Sequence, residues 1–222
     1  RVFASLLDET APAFDPQQPE LMARRRWWTG APDILARTTV VCGCGGGAAV
    51  AGSLPPLIAH AARLVLDADA LNAIADDATL QRLLAARAAR ALPTVITPHP
   101  LEAAHLLGAH AAAVQADRLG AARALVERFG VVAVLKGSGT IVAAPAALPS
   151  VNPTGNALLA AAGTGDVLAG WIGGVWAAGA GDARSAAIGA VWQHGHAADL
   201  AQARGRHGAL AAGELVDWLR AL

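Results

Sequence analysis

The sequence predicts an α/β sandwich with a mainly parallel central sheet. Apolar runs rich in β-branched residues, about five residues long as buried strands are, recur along the chain and end at Gly, Asp or Pro. Longer alanine- and leucine-rich stretches of helical length separate them. This strand-then-helix rhythm is that of a parallel sheet covered by helices. With 222 residues, 55% of them hydrophobic, the chain can bury one substantial core, so a single domain over residues 1–222 is expected.

In chain order, the strand candidates are residues 2–7, 38–42, 63–67, 93–97 and 131–136, with helices over residues 79–91 and 115–129. After Lys136 the pattern changes. Residues 140–144 read as another strand, 144–149 as a loop or hairpin end, and 166–177 and 183–203 as consecutive helices whose alanines allow close packing. No internal repeat or interdomain linker is visible.

Seventeen basic residues balance seventeen acidic ones, and no basic run exceeds Arg24 to Arg26, which reads as a solvated helix face. Nucleic acid and membrane headgroups are therefore poor partners. Cys42 and Cys44 are too close in sequence for an unstrained disulfide and have no His at finger-like spacing, so they read as small buried residues in a reducing compartment. No residue is assigned as a metal ligand. No apolar stretch has the length of a membrane span and no charged-then-apolar leader opens the chain, so a cytoplasmic location is expected.

In an open α/β sheet, ligands bind beyond the C-terminal ends of the strands. Residues 43–47, 67–72, 97–102, 136–140 and 152–166 are the loops at those ends, all rich in glycine or polar residues. The sharpest signal is Gly163-Thr164-Gly165-Asp166, which precedes an apolar helix. Two glycines let successive N–H groups turn toward one point, and a helix N-terminus favours an anion there, although Asp166 or Thr164 also suits a plain helix cap. Lys136, followed by Gly137, Ser138, Gly139 and Thr140, ends a buried strand; a lysine before glycines suits nucleotide phosphates, or simply a hairpin turn. No P-loop run occurs.

Residues 43–48 fit the outline of a dinucleotide fingerprint, with Asp67 ending the next strand, so an oxidoreductase is a competing reading. It leaves Lys136 and Asp166 without a task. His99 stands between Pro98 and Pro100, which fix it at a strand end where a neutral imidazole can bind a substrate oxygen. His194 and His196, two apart on a helix, point to different sides and read as structural.

Taken together, the residues 19–22, 66–72, 97–102, 135–140, 152–156 and 163–170 occur in an order that resembles the NAD(P)H-hydrate dehydratase family of the ribokinase-like superfamily. The resemblance implies a ribokinase-like three-layer sandwich. It also implies dehydration of hydrated NAD(P)H (NADHX and NADPHX), driven by ADP or ATP with Mg2+, through phosphoryl transfer to the substrate hydroxyl and loss of phosphate. Asp166 would be the catalytic base and the Gly163, Thr164 and Gly165 amides an anion hole. Lys136, Gly137, Ser138, Gly139, Thr140 and Gly165 would hold the adenine nucleotide, and Gly45, Gly47, His99 and Asp166 would face the substrate. Leu101 stands where the family usually has glycine, and residues 42–47 replace a more usual Gly-Pro-Gly-Leu-Gly. The family begins with a further strand, glycine-rich loop and helix, so the domain is expected to be truncated, with roughly forty more residues encoded upstream. A small-molecule kinase and a non-catalytic nucleotide-binding homologue are the alternatives. Exposed apolar residues, Trp27 and Trp28 among the candidates, point to a homo-oligomer.

Overall fold

Alternate residues of the central strands enter two different cores. Leu64, Leu66, Ile96, Ala133 and Leu135 pack on one side of the sheet, while Val65, Val95, Val132 and Val134 pack on the other. A strand covered on both faces has no solvent side to mark with polar residues, which is why these runs are continuously apolar. The computed structural model describes residues 1–11, 15, 18–19, 21–179 and 181–222.

Two short parallel strands, β1 (Phe3–Ala4) and β2 (Met22–Ala23), pair with each other. The main sheet follows the order β3 (Thr39–Cys42), β4 (Arg63–Leu66), β5 (Thr94–Ile96), β6 (Val132–Leu135), β7 (Ile141–Ala143) and β8 (Ser150–Val151). Strands β3 to β6 are parallel, and β7 and β8 add antiparallel hairpins. One face carries α1 (Pro32–Leu35), α2 (Leu54–His60), α3 (Ala68–Asp76), α4 (Ala78–Ala89), α5 (Pro100–Leu107) and α7 (Arg118–Phe129). The other carries α8 (Thr164–Ala177) and α9 (Ala183–Ala203), on which α10 (Ala212–Arg220) packs through a third apolar cluster. The expected α/β sandwich is thus observed, with helices on both faces.

Several expectations need correction. The first apolar run contributes only β1, outside the main sheet; Val2 and Leu6 are exposed, so its apolar character does not reflect burial. The helix expected over residues 115–129 is two helices, α6 (Ala111–Ala116) and α7, because the Asp117 carboxylate accepts from the Gly120 N–H and caps a new start. Arg24 to Arg26 lie outside any helix: Arg26 pairs with Glu9, Arg25 donates to the Ala11 carbonyl, and Arg24 lies over the Phe3 ring. Trp28 is only 8% exposed and Trp27 packs against the same core, so neither supports an oligomer surface. Glu20, part of the motif at residues 19–22, falls outside the described residues. Among the described residues no helix is long and apolar enough to cross a membrane.

Arg87 locks α4 to the sheet. It is buried, and its guanidinium donates to the carbonyls of Ile58, Ala61 and Pro93 and to the Thr94 hydroxyl; among the described residues it forms no ion pair with a carboxylate. Burial depresses its pKa to about 10. Replacing it with Leu leaves several acceptors unpaired, so Arg87→Leu is expected to destabilise the fold by about 3 kcal/mol, measured by denaturant unfolding. A loss under about 1 kcal/mol would show that water replaces the guanidinium without penalty.

Candidate functional site

Three strand ends converge on one ion pair. Asp67, just after β4, is 1% exposed, and its carboxylate accepts from Lys136 Nζ at 2.6 Å. Lys136 follows β6, its backbone N–H donates to the Pro98 carbonyl, and its ammonium lies 3.9 Å from Glu102 Oε2 on the first turn of α5. The loop after β3 closes over the same point. Gly43 has φ +122°, and a Cβ there would lie 1.8 Å from the Asp67 carbonyl oxygen, so no larger residue fits.

His99 is held by the structure before any ligand arrives. Its Nδ1 accepts the N–H groups of Leu101 and Glu102, while its own N–H donates to Glu102 Oε2, a reciprocal cap of α5. Because Nδ1 accepts, the proton of the neutral ring sits on Nε2, which lies 3.4 Å from Glu102 Oε1. His99 thus caps α5, and its Nε2–H faces Glu102. Gly45 is exposed, and the Gly47 N–H donates to Asp69. Leu101, beside His99, is 65% exposed.

The Gly163 to Asp166 turn opens α8. Gly163 takes φ +84°, the Thr164 hydroxyl is tied to the carbonyls of Leu159 and Ala161, and Asp166 is exposed on the first turn. Among the described residues, the N–H groups of Thr164, Gly165 and Asp166 meet no hydrogen-bond acceptor. Such N–H groups, at the positive end of the helix dipole, are the donor set an anion requires.

This turn borders a cavity of about 480 Å³. Lys136 to Thr140 form one wall; Asn152, the residues from Thr154 to Ala157, and Thr164, Gly165 and His194 form the others. The volume, and a mainly apolar lining with a few polar groups, suit a small-molecule ligand. Both walls are strapped from behind by residues that the motifs do not contain. The Arg118 guanidinium donates to the carbonyls of Leu135, Lys136 and Ser138, fixing the lysine loop. The Asp199 carboxylate accepts from the Gly155 N–H and the Asn156 amide, fixing the opposite loop to α9. Arg118 and Asp199 are far from those loops in sequence, and nothing local marks them.

Cys44 corrects the sequence reading. It is exposed as a residue, and one ligand atom from each of Cys44, Asp67 and Asp166 lies within 4.8 Å of the others. Burial of the sulfur, then the Asp67 and Asp166 charges, push its pKa to about 12. A thiol held protonated is a poor metal ligand, which leaves the two carboxylates as the hard donors there. The expected residues therefore form two adjoining groups: Lys136 to Thr140 with Thr164 and Gly165 at the cavity, and Asp166 beside Cys44 and Asp67 at the end of the Gly43 to Gly47 loop.

The profile of the NAD(P)H-hydrate dehydratase family matches residues 17–220. The chain belongs to this family. Within it, an ADP-dependent (S)-NAD(P)H-hydrate dehydratase of Neisseria meningitidis serogroup B is 46% identical over 187 residues, 82% of this chain and 62% of that protein. This dehydratase-family chain thus spans less than two thirds of the length of that relative. The crystal structure of the Bacillus subtilis ADP/ATP-dependent NAD(P)H-hydrate dehydratase, co-crystallised with ATP and Mg2+ and soaked with CoA, superposes with TM-score 0.72 at 29% identity, covering 93% of this chain and 74% of that one. A ribokinase-like superfamily protein of Enterococcus faecalis shares the fold, with TM-score 0.69 at 21% identity over 92% of this chain and 70% of that one. The fold is therefore ribokinase-like, as the motif order implies.

Proposed function

We propose that this family member dehydrates hydrated NAD(P)H, using ADP or ATP as phosphate donor, with residues 1–222 acting as one catalytic unit. The observation that carries the reading is the turn at α8: among the described residues three of its N–H groups meet no acceptor, two of them, on Thr164 and Gly165, border a cavity, and an exposed carboxylate, Asp166, stands on the same turn. Phosphoryl transfer requires just those two functions, a positioned base and stabilisation of phosphate charge.

The adenine nucleotide would occupy the 480 Å³ cavity, between Lys136 to Thr140 and the loop tied to Asp199, with its terminal phosphate at the Gly163, Thr164 and Gly165 amides. The substrate hydroxyl would approach from the side of Gly45, Gly47 and His99. Asp166 takes its proton as the oxygen bonds to phosphorus and the donor's bridging oxygen leaves. The C–O bond of the resulting phosphate ester then breaks, inorganic phosphate departing with the electron pair, and loss of a proton from the adjacent ring carbon to solvent restores the nicotinamide ring's double bond. The free amides and the Asp67 and Asp166 carboxylates suit a magnesium nucleotide, whose metal neutralises phosphate charge; it would be held mostly by phosphate oxygens, which is magnesium's habit. Lys136 fixes Asp67 beside this point and adds positive charge.

A cytoplasmic repair role acting on freely diffusing NADHX and NADPHX fits a chain with balanced charge, and assembly into a homo-oligomer, for which exposed Leu148, Val151 and Trp192 offer apolar surface, is part of the same proposal. Nucleotide binding is tested first. Because ADP or ATP binds the native loop and not the unfolded chain, the melting midpoint is expected to rise by several degrees at about 100 times Kd. Incubation with hydrated NADH and each nucleotide then reads recovery of nicotinamide absorbance and release of phosphate. Unmoved midpoints with both nucleotides, together with no recovery of absorbance, overturn the reading; a stable phosphoester product would make the protein a kinase.

A further inference from the structure

We infer that His194 is a positioning residue that aims the Gly165 amide into the anion site. The inference rests on reading the Gly163 to Asp166 turn as that site.

His194 lies on α9, is only 8% exposed and borders the cavity. Its Nε2 stands 2.9 Å from the carbonyl oxygen of Thr164. A carbonyl can only accept, so Nε2 carries the hydrogen and donates, whatever the state of the other nitrogen. Burial lowers the imidazole pKa, so the neutral ring with this single N–H is the resting form.

The consequence follows from the geometry of one peptide group. The Thr164 carbonyl and the Gly165 N–H belong to the same peptide unit, and no cis bond occurs among the described residues. In a trans unit the C=O and N–H point in opposite directions within one plane. Holding the oxygen on His194 therefore fixes the Gly165 hydrogen on the opposite side of the same peptide, and Gly165 borders the cavity. Among the described residues the N–H meets no acceptor, which leaves it for a ligand. Hydrogen bonding at the oxygen also polarises the unit and strengthens the N–H as a donor.

The anchor adds to what the helix supplies: Thr164 begins α8, and the Val167 N–H donates to the Gly163 carbonyl. Gly163 and Gly165 place no side-chain restraint on the peptide between them, and the Thr164 hydroxyl bonds backward, to Leu159 and Ala161. His194 is the contact on the forward side. An ordinary core histidine would satisfy itself against any available carbonyl; this one selects the carbonyl whose peptide carries the candidate donor.

The test compares His194→Met, which keeps the approximate volume and loses the donor, with His194→Gln, which keeps a donor at similar reach. For each protein, titration calorimetry gives the affinity for ATP and for adenosine, and melting confirms the fold. The expected result is a ratio of ATP to adenosine affinity that falls about tenfold in His194→Met and recovers in His194→Gln, with adenosine affinity unchanged in both, because only the phosphate senses the amide. In turnover the Met variant should lose kcat with little change in KM for hydrated NADH. A variant-free arm follows the Gly165 amide resonance of the unmodified protein, expected to move downfield on saturation with ATP. An unchanged ratio in His194→Met, an equal loss for ATP and adenosine, or a Gly165 resonance that ignores ATP overturns the assignment. Failure of the wild-type protein to turn over hydrated NADH, with the ratio behaving as expected, overturns the proposed reaction and leaves His194 in place. No preference for ATP over adenosine in the wild type overturns both.

Discussion

Asp166→Asn is expected to abolish turnover of hydrated NADH while leaving the fold and nucleotide binding nearly intact. Asn preserves size and caps a helix about as well as Asp, so any role in holding the first turn of α8 survives. The proton-accepting role does not. General base catalysis contributes about 10²–10⁴-fold, and the variant should fall by at least that range. The structure removes one complication: Asp166 is exposed, and its neighbour in the cluster, Cys44, is held as a neutral thiol, so the substitution strands no buried cation. The charge–dipole contribution that is lost is about 0.3–1 kcal/mol, too small to unfold the protein. Rate, nucleotide affinity and melting temperature on one preparation decide the matter. A near-normal rate would take Asp166 out of the mechanism and leave the α8 turn as an anion site without chemistry.

What made the fold legible was the burial of the sheet on both faces. Strands β4 to β6 are buried on both faces over nearly their whole length, so their cores were visible as apolar runs in sequence, and Gly, Asp or Pro marked where the runs met ligand loops. The first segment misled for the complementary reason. Val2 to Leu7 has the composition of such a strand, yet β1 is two residues long and pairs only with β2, and composition alone does not say which sheet a strand joins. Helix boundaries drifted where one side chain decides them, as Asp117 does between α6 and α7.

The candidate site was legible in its contact residues and silent in their supports. Glycines and a lysine at strand ends announce themselves because backbone approach and charge require those residue types locally. Arg118, Asp199 and His194 act from other elements, through hydrogen bonds to the loops, and ordinary helix positions carry no local sign of that. Cys44 was misjudged because its sequence neighbours say nothing of Asp67 and Asp166, which only the sheet order brings beside it.

The same convergence explains why Lys136→Met should be costly even if no nucleotide ever bound. Lys136 was read as a phosphate contact; in the fold its ammonium is bonded to Asp67 at 2.6 Å. Asp67 is nearly inaccessible, and among the described residues the Cys44 thiol, 3.9 Å away, is the other side chain hydrogen-bonded to its carboxylate. Removing the lysine leaves a buried carboxylate with no cation, and breaking such a pair from one side typically costs about 3–5 kcal/mol, toward the lower end here because Lys136 keeps some solvent contact. Asp67→Asn in the same background should recover most of that loss, since the charge that had no partner is gone. The double variant therefore separates two roles. If Lys136 serves only the ion pair, the double variant regains stability and binds ADP or ATP as the wild type does; if it also meets phosphate, stability returns and nucleotide affinity does not. Denaturant melts and calorimetry on the single and double variants read both, and a single variant as stable as the wild type would show that water reaches Asp67 and that the pair does not hold the strand ends together.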